Sequence, residues 1–203
     1  MIGVTAILYE LCYLCLLHKS MSRFDDYIKE EKIIDIYKAN KLAFILFVVA
    51  GLLFGIPFYI FRSPEFTFSW QDILIFTLLF IGGIVLHELI HGLFFGLFAK
   101  HKFRSIRFGV LWEYLAPYCH CTEPLKIRHY VVGALMPAFI LGLIPTVVSL
   151  FNGNQMSLIL GVFFISAAAG DFMVVWILRK ESPDNFVLDH PSEAGCYIYR
   201  KIN

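Results

Sequence analysis

Residues Gly82 to Gly96 read GGIVLHELIHGLFFG, placing two histidines and a glutamate inside an otherwise apolar run. In a helix, positions four apart lie on one face, so His87 and His91 project together. Glu88 sits one position round from them. The pattern is H-E-x-x-H, in which two imidazoles hold one Zn²⁺ and the glutamate is general base. Such a metal lowers the pKa of its bound water to about 7, and Glu88 then accepts the proton as hydroxide attacks a carbonyl. The plainer alternative is a buried polar cluster that helps helices associate.

Whether this run lies in a membrane is decided by the rest of the chain. Of 203 residues, 59% are hydrophobic and 16% charged, against about 45–50% and about 25% in soluble domains. Mean hydropathy is +0.71. A net charge of +1 provides no field to recruit nucleic acid. Five cysteines, an odd number, form no small disulfide framework.

Four stretches are long enough to cross about 30 Å of hydrocarbon, which takes roughly 20 helical residues. They are 42–61, 73–99, 130–151 and 156–178, and the turn-like Asn152-Gly153-Asn154 separates the last two. With four crossings, both termini and the loop Lys100–His129 share one side. That side holds 16 of the 17 Lys and Arg, the other only Arg62, which puts the termini in the cytoplasm. The expected fold class is an all-α polytopic membrane protein of four transmembrane helices. Residues 1–40 form a cytoplasmic or interfacial segment, 41–180 the four-span core and 181–203 a cytoplasmic tail.

The first 20 residues are apolar, with Glu10 at their centre and a CxxC at Cys12 and Cys15 that has no ligands nearby. They read either as an interfacial segment or as sequence upstream of a start at Met21. The capping-box pattern Ser22 to Asp25 favours the second, and implies a partly amphipathic helix leading into the first span.

Two histidines leave a catalytic zinc short of a third protein ligand. The fourth span offers Asp171, eight residues from Arg179, or roughly 12 Å below the cytoplasmic edge. His91 is nine residues from Lys100, or roughly 13–14 Å from the same edge. The levels agree. Ala167, Ala168, Ala169 and Gly170 are small enough to let two helices close up. On the second span, Glu88, Gly92 and Gly96 recur at intervals of four, leaving one side of the base unobstructed. Asp171 could instead pair with a histidine or arginine and hold the bundle together. Glu113, His120 and Glu123, with the soft Cys119-His120-Cys121, compete as ligands, although neighbours in an extended chain point to opposite faces.

These residues resemble a family. HELIHG on a second span, AAAGD on a fourth, PYCHCTEPLK followed by GALMP, and the tail LDHPSEAG are similar to the "putative zincin peptidases". Those are small bacterial membrane proteins related to site-2 intramembrane metalloproteases. The resemblance implies zinc held by His87, His91 and Asp171, Glu88 as catalytic base, and a place in the bacterial cytoplasmic membrane. Here Gly170 precedes Asp171 and no Asn-Pro motif is near, unlike the better-studied site-2 group, whose third ligand precedes a glycine.

A protease in a bilayer meets helical substrates that must be unwound before they are cut. Ile106, Phe108, Val110, Trp112 and Tyr114 are apolar at alternate positions, which is strand periodicity, and Pro117 marks a turn. An edge there could pair with an extended substrate, or the loop is an interfacial hairpin with aromatics anchored at the headgroups. Pro137 either opens the third span toward the site or simply kinks it. The leading reading is a zinc-dependent intramembrane endopeptidase acting on transmembrane or membrane-associated proteins. The alternatives are a non-proteolytic metal transporter or sensor, and a structural partner whose motif is vestigial.

Overall fold

The computed structural model describes residues 26–63, 69–112, 116–191 and 193–202. The readings at Glu10, Cys12, Cys15, Met21 and the Ser22–Asp25 capping box lie outside them, as do Glu113 and Tyr114.

Caps set where the helices begin. The Asp35 carboxylate accepts from the backbone N–H groups of Tyr37 and Lys38, and helix α1 runs Ile36–Arg62. Ser69 and Asp72 form a reciprocal capping box that opens α2, Trp70–Phe98. Helix α3, Ile127–Pro137, passes through a π-helical stretch, Ala138–Leu143, into α4, Ile144–Asn152. Gly153, at φ 72°, ends α4 as a left-handed cap. Arg62 donates to the carbonyls of Leu150 and Phe151, placing the basic residue of that side against the C-terminal pole of α4.

The fourth apolar segment is not one straight helix. It is α5, Gln155–Ala167, followed after a 44° bend by α6, Ala169–Leu178. The break falls at Ala168, inside the run of small residues. Ala168 and Ala169 are buried there. Three helical runs, Ile36–Arg62, Trp70–Phe98 and Ile127–Asn152, are long and apolar enough to cross a membrane, and the bent pair makes a fourth if counted as one span. Their outward faces carry Leu52, Leu53, Ile56, Leu74 and Leu78, all exposed.

The chain is mostly helical but not all-α. Strand β1, Tyr27–Ile33, occupies the place where the sequence suggested a helix. Strands β4 (Leu125–Lys126), β5 (Phe186–Asp189) and β6 (Gly195–Lys201) join it in an antiparallel sheet ordered β1-β6-β5-β4. Tertiary pairing overrides the helix-forming Lys-Glu-Glu-Lys run. β6 alternates with Cys196 and Ile198 turned inward and buried, and the charges of β1 find partners around it. Arg200 reaches Glu30 at 2.5 Å, Glu31 reaches His190 at 2.7 Å, and the Lys29 ammonium sits 3.5 Å from the centre of the Tyr197 ring. The chain after α6 therefore contributes two strands, Phe186–Asp189 and Gly195–Lys201, to an ordered sheet. Its buried face, with Val187, Cys196 and Ile198, shares one core with Phe95, Ala99, Tyr130 and Leu178 of the helices.

The loop between α2 and α3 is a hairpin of β2 (Ile106–Leu111) and β3 (Ala116–Cys121). Pro117 lies within β3, opposite Val110, rather than at the turn. It shares the outward parity of Cys121, whose N–H donates away from β2 to Asp189, so the missing N–H breaks no ladder bond.

Candidate metal centre

Helix α2 carries His87 and His91 one turn apart on a buried face, their ring centres 4.9 Å from each other. Asp171 comes from the first turn of α6, just past the bend. Its carboxylate stands between the two imidazoles, Oδ2 at 3.3 Å from His87 Nε2 and Oδ1 at 3.2 Å from His91 Nε2. Among the described residues these three are the group that brings His, Cys or carboxylate atoms close enough for one ion, all within 4.8 Å of one another. The two imidazoles of α2 and the carboxylate of α6 thus meet at one point.

The residues fit a divalent transition metal. Two imidazoles and a carboxylate are a donor set that suits zinc. Both histidines are buried, and His87 Nδ1 is enclosed with no hydrogen-bond partner. Two buried imidazoles on an apolar helix, turned toward one carboxylate, need either a shared proton or a shared cation between them. His91 Nδ1 is 3.0 Å from the carbonyl of Gly133.

Glu88 is half-buried beside this group, and Cys119 of β3 lies close to its carboxylate. The side of α2 that bears Gly92 and Gly96 is not open, as the spacing had suggested. A Cβ at Gly92 would lie 2.5 Å from the Phe108 ring, and one at Gly96 2.4 Å from that of Phe103. The glycines are where the hairpin seats itself against the motif helix.

Of the described loop residues weighed as ligands, Glu123 is bonded elsewhere and the two cysteines are poorly suited. Glu123 accepts from the backbone N–H of Lys100 at 2.9 Å and from Ser105 Oγ at 2.7 Å, and also binds His101. Burial pushes its carboxyl up, but the Ser105 and His101 hydrogen bonds win and hold it below the usual range. Cys119 and Cys121 are free thiols. Burial, aided by the Asp189 charge, raises both, Cys121 to about 12. A thiol so far from ionising is a poor ligand.

The family described as "Putative zincin peptidase" matches residues 80–186. The chain belongs to that family. The match runs from the motif helix through the hairpin and α6 to the start of β5, so it takes in His87, Glu88, His91 and Asp171, and membership in a zincin family implies a zinc cofactor. No curated protein and no solved structure matches the chain.

Sequence reasoning missed Asp189. It accepts from the Tyr130 hydroxyl at 2.5 Å and from the Cys121 N–H at 2.7 Å, linking the C-terminal sheet of this zincin family member to the wall of the site. The only signal for it was its place in LDHPSEAG, a segment noted for resemblance alone.

Proposed function

We propose that the protein is a zinc-dependent endopeptidase that cuts membrane proteins within the bilayer. The observation that carries this reading is the meeting of His87, His91 and Asp171, from two separate apolar helices, next to Glu88. These three side chains would hold the zinc. Bound there, zinc polarises a carbonyl and lowers the pKa of a neighbouring water to about 7. Glu88 takes the proton from the attacking water and delivers it to the departing amine nitrogen. The hairpin supplies a strand edge along which a substrate segment, once unwound, is held extended. The spans cross a bacterial cytoplasmic membrane with hairpin, tail and both termini inside, the orientation that the basic residues favour.

Purified protein should contain one zinc per chain. Glu88→Gln should keep that zinc and lose at least about 100-fold in cleavage of a membrane-protein substrate, the scale of a general base. Full activity in the variant would remove Glu88 from the mechanism. Zinc uptake into proteoliposomes that survives the substitution would point to a transporter instead.

A further inference from the structure

The third span contains a proline whose position relative to the site is more specific than a kink requires. In an α-helix the carbonyl of residue 133 accepts from the N–H of residue 137. Residue 137 is proline and has no N–H. The acceptor left over, Gly133 O, is buried, and His91 Nδ1 lies 3.0 Å from it. A carbonyl only accepts, so Nδ1 carries the hydrogen, and Nε2 is the nitrogen left to face a metal or a shared proton. That is the nitrogen 3.2 Å from Asp171.

We propose that Pro137 is a positioning residue for the metal site: by withholding a backbone N–H, it reserves the Gly133 carbonyl for His91 and fixes which imidazole nitrogen faces Asp171. The inference rests on the zinc reading above and adds what orients one of its ligands. Two further features build the contact. Gly133 has no side chain, and a Cβ there would fall 2.4 Å from the ring of Phe95. Phe95 is one turn on from His91 and stacks on it, 5.7 Å between centres and 11° between planes. The glycine therefore lets α2 approach until a backbone oxygen of α3 comes within reach of the imidazole. The π-helical stretch Ala138–Leu143 begins directly after Pro137 and takes up the change in register. His87 has no such partner at Nδ1, so outer control over the histidine pair falls on His91.

Backbone carbonyls that orient ligating histidines are worth about 10–100-fold in metal affinity. Pro137→Ala restores a donor that competes for Gly133 O, and it removes a residue that helix interiors disfavour. In the full chain, zinc affinity measured by chelator competition should fall about 10-fold or more. The thermal midpoint of the metal-free variant should hold steady or rise, which separates loss of orientation from loss of fold. Nitrogen-15 shifts of His91 in metal-free protein, read at a pH where the imidazole is neutral, should show a protonated Nδ1 in the wild type and a mixture of tautomers in Pro137→Ala. Unprotonated Nδ1 in the wild type, or unchanged zinc affinity with unchanged tautomer in the folded variant, would overturn the proposal. A wild-type chain that binds no zinc ends the endopeptidase reading, whereas the nitrogen shifts still decide the role of Pro137.

Discussion

Tyr130 donates its hydroxyl to Asp189 at 2.5 Å, tying the third span to the C-terminal sheet. The other oxygen of the same carboxylate accepts the Cys121 N–H at 2.7 Å. One side chain thus joins α3, β5 and β3, and β3 is the strand whose Cys119 lies near Glu88. Leaving a buried hydroxyl and an amide unpartnered costs about 1–3 kcal/mol each. Asp189→Ala should release the hairpin from the site. We expect faster hydrogen exchange at Cys121 and about a 10-fold or larger loss of turnover on the scale of a misplaced base. Zinc content should be unchanged, because no ligand is touched. A variant with normal exchange at Cys121 would show that the hairpin is held by other means.

The glycine seat on α2 leads to a prediction with opposing terms. Alanine at position 92 improves helix propensity by about 1 kcal/mol, yet its Cβ would meet Phe108 at 2.5 Å. Overpacking of that kind costs about 1–3 kcal/mol. Gly92→Ala should therefore be net destabilising in chemical denaturation, and Phe108→Ala added to it should recover part of the loss. Equal stability of the single variant and the wild type would mean that the hairpin can slide without cost.

Removal of any of the three converging side chains should act on the metal directly. His91→Ala and Asp171→Ala should each drop zinc to well below one per chain by elemental analysis. A chelator should abolish cleavage by the wild type, and added zinc should restore it. Retention of stoichiometric zinc by both variants would place the ion elsewhere.

The sheet should weaken in acid. Hydrogen bonds from Arg200, at 2.8 and 2.6 Å, hold the Glu181 carboxyl below its ordinary value of 4.5. A lowered folded pKa contributes stability that is present above the ordinary value and is lost as pH falls through the lowered one. Strand β6 should thus show increased hydrogen exchange below about pH 4.5, compared with pH 7. Glu181→Gln should be weaker at neutral pH, by about 1 kcal/mol for a half-exposed pair, and should flatten the dependence. An identical pH response in the variant would assign the acid sensitivity to other carboxylates.

The helices and the site were legible because their signals are local. Unbroken apolar length marks the spans, and an i, i+4 pair of histidines marks a face regardless of what lies opposite. Asp171 was found by counting residues from the basic end of each apolar run, and it does meet the two histidines. What the sequence hid depends on partners far along the chain. The Lys-Glu-Glu-Lys of β1 favours a helix until β6, more than 160 residues later, supplies the pairing edge. The gap at Gly92 and Gly96 looked empty because nothing local says that Phe103 and Phe108 return to fill it. The bend at Ala168 is a backbone property with no side chain to announce it, whereas Pro137 announced a carbonyl released at Gly133 but not that His91 would take it.

The sheet order has a consequence for biosynthesis. β1 leaves the ribosome before the first apolar helix, and β6, which lies between β1 and β5, leaves after the last one. On the membrane reading proposed above, the charged first strand waits, its pairing edge unfilled, while the apolar helices are inserted. The wall that Asp189 anchors closes only afterwards, so nascent chains stalled before β5 should hold all three converging side chains and still lack a working cleft.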